Sequence, residues 1–327
     1  MPHQPAILLL PLLALIPLPA RAQTAPAPAS IYVNRALPMS LSAFTDETPL
    51  VDVTRIVESS SDKLVADTLA AVKHACDALK SVHVTGYFYE EQFDSLHKQW
   101  LEAGSIQGEG FFDFATSRYR FDVTSHYDDW AYSPHARDEK FLQVFDGKNV
   151  RQVPPQYVDH HFSGPPTPAP QSAMSVLGDA FAFPFHLGVE LTPDNRTHEY
   201  VLYPRIDPAS TSARRVILND AQPAIELTFH YTNVNAPCTE TWYLDPDHGY
   251  ALIASSRAVG KNNAFISQAV IFRLLPLGNG LFYPQRGIRI IGDSRSAHSR
   301  AIFTASSVSA NESKPDSFFT LATPPTP

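Results

Sequence analysis

Ile225-Glu-Leu-Thr-Phe-His-Tyr-Thr232 alternates apolar and polar residues without a break. In an extended chain Ile225, Leu227, Phe229 and Tyr231 fall on one side, and Glu226, Thr228, His230 and Thr232 on the other. A period of two over this length predicts a strand with one buried face, the pattern of antiparallel sheet. The same period continues on both sides. Downstream, ETWYLDPDHGYALIASSRAV reads as a hairpin turning at Asp245 to Gly249, followed by strands ISQAVIFRLL, FYPQRGIRII and RAIFTASSV. Upstream, VHVTGYFYEEQF from Val82, IQGEGFFDFAT from Ile106 and RYRFDVT from Arg118 alternate likewise. In KFLQVFDGKNVRQV, Lys140 to Val153, Asp146-Gly147 marks a second hairpin turn. No strand–helix–strand rhythm is present, so a doubly wound fold is not expected. The one clear helix, roughly 60 to 81, opens on the capping cluster Ser59-Ser60-Ser61-Asp62 and carries Leu64, Leu69, Val72, Cys76 and Leu79 on a single stripe. One continuous antiparallel sheet through most of 82 to 308, with this helix on its concave face, is the expected architecture.

Composition limits the function. The 327 residues are 44% hydrophobic and 18% charged, enough apolar material for a core. Proline outnumbers glycine 29 to 14, which disfavours a long helical bundle. A net charge of -8 provides no basic surplus for nucleic acid. Two cysteines exclude a disulfide scaffold or a four-cysteine zinc site. Cys76 and Cys238 are either a disulfide pair or two buried thiols.

The N-terminus predicts export. Ala6 to Leu18 is almost wholly apolar, yet it is short and broken by Pro11 and Pro17. Ala20-Arg21-Ala22 fits a cleavage site, giving a signal peptide over 1–22 and a mature start at Gln23. A Pro/Ala-rich linker and N-terminal segment follows over 23–58. The remaining 59–325 reads as one domain with a Pro-rich insertion near 163–193, beginning at SGPPTPAP. A periplasmic or secreted location is therefore expected.

Chemical motifs are sparse. Ile288-Arg-Ile-Ile-Gly-Asp-Ser294 resembles the strand and Gly-Asp-Ser of an esterase class, with Ser294 as nucleophile. The required later Asp-x-x-His is missing: only His298 follows, and Asp245-x-x-His248 lies upstream in a turn. Asp159-His160-His161 and Tyr127-Asp128-Asp129-Trp130 read as polar loops, and neighbours on a strand cannot chelate one ion together. Neither a metal nor another cofactor is expected, and no catalytic residue is assigned. The stronger signal is aromatic: 20 Phe, 13 Tyr and 3 Trp against one evident helix. An apolar sheet face that large must be filled, covered or occupied by a ligand. Phe88, Phe112, Phe114, Phe229, Trp242, Leu252 and Phe272 are the candidates for lining an apolar cavity.

The order of export signal, amphipathic helix and long antiparallel run carries three short motifs. They are Phe145-Asp146-Gly147, the Trp242 to Gly249 hairpin (WYLDPDHG), and Phe319 to Pro324 near the end. Together they resemble the LolA-like family of periplasmic lipoprotein carriers, which includes outer-membrane lipoprotein-sorting proteins. That resemblance implies an incomplete barrel: a strongly curved antiparallel sheet with helices on its concave side, mainly β with α+β character. It further implies an exported carrier or sensor for a lipid or lipoprotein acyl chain, acting with envelope proteins and without catalysis. A secreted hydrolase using Ser294 and a structural or protein-binding envelope module are the alternatives.

Overall fold

The computed structural model describes residues 29–34, 51–116, 118–127, 137–147, 150–153, 208–233, 236–260, 265–292 and 297–321. The signal peptide, the 163–193 insertion, the 159–161 and 128–130 motifs and Ser294 lie outside them.

The expected single antiparallel sheet is present, and it is open rather than closed. Among the described residues it has 14 strands: β1 Ile31–Tyr32, β2 Val53–Glu58, β3 Ser81–Asp94, β4 Gln99–Asp113, β5 Arg118–Tyr127, β6 Arg137–Phe145, β7 Val150–Val153, β8 Thr211–Leu218, β9 Gln222–Asn233, β10 Ala236–Asp245, β11 Ala251–Val259, β12 Phe265–Gly278, β13 Leu281–Gly292 and β14 Ala297–Ala310. Two meanders, β3 to β7 and β8 to β14, join where β14 pairs with β3, and β2 adds an edge beside β8. Strand spacing is roughly 4.8 Å, and twisted open sheets beyond about ten strands curl rather than stay flat. The main core accordingly runs as one cluster from Leu218 in β8 to Phe145 in β6. Gly108 relieves a close approach between β4 and β5. Its φ is +152°, and a Cβ there would come within 2.3 Å of the Asp122 carbonyl oxygen.

The helix α1 covers Asp62–Ala78 and packs on β8 and β9 through Leu64, Val65, Leu69 and Val72. Ser61 caps it by accepting the Leu64 N–H at 3.2 Å. It ends three residues before the expected boundary because Asn311, at the end of β14, takes over its C-terminus. The Asn311 side chain donates to the Ala78 carbonyl at 3.1 Å and accepts the Lys80 N–H at 2.7 Å.

The N-terminal segment, ambiguous from its own pattern, contributes β1 and β2. β11 and β12 pair over Ala254 to Val259 and Phe265 to Val270. Beyond that, β1 runs along β12, with Ile31 opposite Leu274 and Tyr32 opposite Arg273. Asn34 sits at the fork: its amide donates to the Ile253 and Ile271 carbonyls, both at 2.9 Å. It is 1% exposed with φ at 49°, a left-handed conformation that asparagine tolerates. Asn34→Ala removes both bonds and leaves two buried carbonyls unsatisfied, so it is expected to cost about 2 kcal/mol. Urea unfolding of the variant checks this.

The C-terminal motif docks on the opposite side of the sheet. Phe319 packs with Phe111 and Val144 in a second, small core, flanked by Phe318 and Leu321.

Candidate functional site

Register alone shows which residues share a face, because directly paired residues point to the same side. Phe229 lies opposite Glu240, and Trp242 follows two residues along the same strand. From Trp242 the cross-strand row runs through Ser255, Ala269, Arg289 and Ala301 to Glu90. Phe88 is two residues before Glu90 and pairs with Ile106, which shares parity with Phe112. Leu252 pairs with Leu244, in phase with Trp242. Phe88, Phe112, Phe229, Trp242 and Leu252 therefore share one face, the inner face, at 1–7% exposure. Phe272 is buried but falls at the register shift between Ile271 and Arg273, so strand parity does not place it on that face. Phe114 lies just beyond β4, half-buried, stacked on Phe112 with centroids 6.0 Å apart.

The inner aromatics touch one another. Phe112 meets Phe121 edge-on at 5.2 Å, Tyr119 sits 5.0 Å from Phe121 and 5.5 Å from Phe145, and Phe229 meets Trp242 edge-on at 5.0 Å. Edge-to-face contacts at these spacings add about 0.5–1.5 kcal/mol each beyond area burial.

Toward the end of the sheet where β9 turns into β10, the inner face becomes polar. Glu240, 5% exposed, accepts from Tyr231 Oη at 3.0 Å, Trp242 Nε1 at 2.7 Å and Arg257 Nε at 3.0 Å. Each oxygen of this buried carboxylate thus has a donor, as a polar group withdrawn from water requires. Glu90, on the same face, accepts from Ser299 Oγ at 2.5 Å. The face thus grades from aromatic to charged along the strands. These polar residues were legible by parity: Glu240 precedes the candidate Trp242 by two residues, and Arg257 lies opposite it.

The outer face of β8 to β10 is not simply solvated, contrary to the bare alternation. Arg214 donates to both oxygens of Glu226 at 2.6 and 3.0 Å, and Glu226 is buried. Burial and the Glu226 carboxylate push the Tyr243 hydroxyl well above its ordinary pKa.

The disulfide alternative for Cys76 and Cys238 is not realised: the two sulfurs are not bonded. Cys76 lies on α1, whereas Cys238 opens β10 opposite Tyr231 and Val259. Burial pushes the Cys76 thiol up to about 11, so it stays protonated at neutral pH. Asp245 and His248 hydrogen-bond to each other within the turn. Asp245 accepts the Asp247 N–H at 3.0 Å and meets His248 Nδ1 at 2.8 Å, while also receiving Gln222 Nε2 at 3.3 Å. Gly249 closes this turn at φ +65°, where a Cβ would stand 2.1 Å from the Gly280 carbonyl oxygen. Among the described residues no group of three or more His, Cys, Asp or Glu could hold a metal, and no helix is long and apolar enough to cross a membrane.

The fold and this face define a protein whose open antiparallel sheet curls round an aromatic interior. No family model and no curated protein matches the chain. Among solved structures, it is similar to a LolA superfamily protein from Nitrosomonas europaea at 10% identity and a TM-score of 0.41, covering 79% of this chain and 98% of that one. A putative outer membrane lipoprotein-sorting protein domain from Vibrio parahaemolyticus gives 8% identity and 0.41, with 78% and 97% covered. A DUF1329 family protein from Desulfovibrio piger gives 7% and 0.40, with 79% and 97% covered. Likeness at this level carries no conclusion about activity.

Proposed function

We propose that the protein is an exported carrier or sensor that takes a hydrophobic ligand, a lipid or a lipoprotein acyl chain, against the inner face of the sheet, without catalysis. One observation carries this reading. Five of the seven candidate residues share a single apolar face, and α1, the one α-helix among the described residues, packs mainly on β8 and β9. A ligand chain lying against Phe88, Phe112 and Phe229 would replace protein contacts with its own, the usual chemistry of an apolar site. The polar end at Glu240 and Arg257 suits the less apolar part of such a molecule. The hydrolase alternative has less behind it, because no Asp-x-x-His follows Ser294 in the sequence.

Native mass spectrometry of protein purified from its own envelope tests the reading, and also reports whether the mature chain starts at Gln23. A retained lipid mass is expected. A fluorescent fatty acid is expected to bind at micromolar affinity or better. Phe229→Asp is expected to weaken that binding at least tenfold, with folding checked by circular dichroism. Ser294→Ala is expected to leave it unchanged. No retained lipid and no fatty-acid binding would leave a solid aromatic interior and a structural or protein-binding module. Ester hydrolysis lost specifically in Ser294→Ala would establish the enzyme instead.

A further inference from the structure

We infer that Asn279 is a site of covalent modification: its side-chain amide is lost through a cyclic imide formed with Gly280, leaving aspartyl and isoaspartyl products at the tip of the β12–β13 hairpin. Asn279-Gly280 is the only Asn-Gly pair in the 327 residues. It forms the loop between Gly278 and Leu281, which pair across the two strands. φ is 53° at Asn279 and 75° at Gly280, so both loop residues are left-handed, as a type I′ turn requires. Both are exposed. Gly280 adopts this φ without a Cβ penalty, and no side chain shields its N–H. A Cβ built there would meet nothing within 4 Å. The turn chemistry that sets the hairpin thus also places an unhindered backbone nitrogen next to an amide.

Neither reacting group is tied up. Among the described residues the Asn279 amide makes no side-chain hydrogen bond, and the Gly280 N–H donates to no backbone carbonyl. Asn34, Asn219 and Asn311 differ on both counts. Their side chains are engaged with the Ile253 and Ile271 carbonyls, the Asp52 N–H and the end of α1, and the residues that follow are Arg35, Asp220 and Glu312. Attack requires Asn279 to leave its left-handed conformation, and at an exposed tip that opening involves only the end of the hairpin. The reaction balances with water alone. The Gly280 nitrogen attacks Cγ of Asn279; the N–Cγ bond forms, the Cγ–Nδ2 bond breaks, and the Gly280 proton leaves on ammonia. Water then opens the imide. Addition at Cγ leaves an aspartyl residue, and addition at the main-chain carbonyl carbon leaves an isoaspartyl residue whose backbone runs through Cβ and Cγ. Either product adds a negative charge, and the second also inserts a carbon into the backbone of the turn. Space for it is short on one side: the Gly280 carbonyl oxygen lies so close to Gly249 that a Cβ there would stand 2.1 Å from it. The isoaspartyl form therefore loosens the Gly278–Leu281 pairing and the contact with the Asp245 to Gly249 turn together.

The test incubates the full-length exported protein at physiological temperature and mildly alkaline pH. Mass spectrometry follows the peptide that contains position 279, and protein isoaspartate methyltransferase reports the isoaspartyl product independently. That peptide is expected to gain the mass of an amide nitrogen replaced by oxygen, at least tenfold faster than the peptides holding Asn219 or Asn311, and to split into two chromatographic species. The rate should rise with pH, because the attacking N–H must give up its proton. Asn279→Gly keeps a turn-compatible pair, since Gly-Gly also suits type I′. It is expected to retain the parent's thermal midpoint, show no mass gain at this peptide and accept at least tenfold less methyl label. Hydrogen exchange at the β12–β13 tip should be faster in the isoaspartyl fraction than in the parent. Freshly prepared Asn279→Asp, which has the charge without the extra carbon, should match the parent there. A peptide that stays unchanged in the folded protein while the urea-unfolded chain converts would overturn the site, because the turn would then block attack. Equal rates at Asn219 and Asn311 would overturn it as well. Exchange as slow in the isoaspartyl fraction as in the parent would overturn the loosening of the turn.

Discussion

Glu240→Ala is expected to lower the unfolding free energy by about 3 kcal/mol, a large effect for the loss of one surface-typed side chain. The carboxylate is the common acceptor for the Tyr231 hydroxyl, the Trp242 indole N–H and the Arg257 guanidinium. Truncation takes the shared acceptor from those donors, and the loss at the Arg257 guanidinium dominates the penalty. The Arg257 side chain is 26% exposed, so part of its hydration survives and the loss falls at the lower end of the range for broken buried pairs. Combining Glu240→Ala with Arg257→Met is expected to recover much of the stability, since an apolar side chain of similar length leaves no charge to satisfy. Urea unfolding of the parent, both single variants and the double variant gives the coupling. A loss below about 1 kcal/mol for Glu240→Ala would mean that water enters this end of the inner face and solvates the arginine.

Phe319→Ala is expected to cost about 3–4 kcal/mol, the range for emptying a buried aromatic site. Phe319 is 1% exposed, 5.8 Å from the Phe111 ring and 5.2 Å from Phe318. The Arg118 guanidinium stands 4.1 Å from the centre of its ring and also meets Asp316 at 2.7 Å. Arg120 donates to the Phe318 carbonyl at 2.9 Å. The variant therefore loses packing and loosens the C-terminal clasp on β4 to β6 together. Its midpoint in urea should fall, and hydrogen exchange should quicken first in β5 and β6, the strands under the clasp. Protection in β9 to β11 should change less, because the two cores are separate. A uniform increase across the sheet would show that the clasp is part of one cooperative unit.

Several elements were readable before any coordinates. The alternation of Ile225 to Tyr231, the Asp146-Gly147 turn, the Asp245 to Gly249 turn and the Ser61 cap each depend on residues close in sequence. Each appears in the structure where its local chemistry predicted. β8 was not assigned, although it lies between β2 and β9. Its pattern of Ala213, Val216 and Leu218 does not keep a clean period of two, because both of its faces carry buried positions. β1 and β2 escaped for a related reason: two-residue and edge strands are held by partners far away in the chain, not by their own periodicity.

Phe88, Phe112, Phe229 and Trp242 share a face by strand parity and register, and Leu252 joins them through its pairing with Leu244 across a register shift. Parity does not place Phe272, because a register shift beside it breaks the two-residue rule. Glu240 and Arg257 went unassigned because a charge in phase with aromatic residues looks like an error of register until its partner is known.

Local pattern alone determined that this is an antiparallel β protein with one capped helix and hairpins at Asp146-Gly147 and Asp245 to Gly249, since period, turn residues and caps act over a few residues. Tertiary structure alone decided that β14 joins β3, that Asn34 bridges a fork made by Ile253 and Ile271, and that Glu240 meets Arg257. It also brought Arg273 beside Arg286. These contacts link residues 13 to 237 positions apart, and they form only when the burial of many strands at once sets their register.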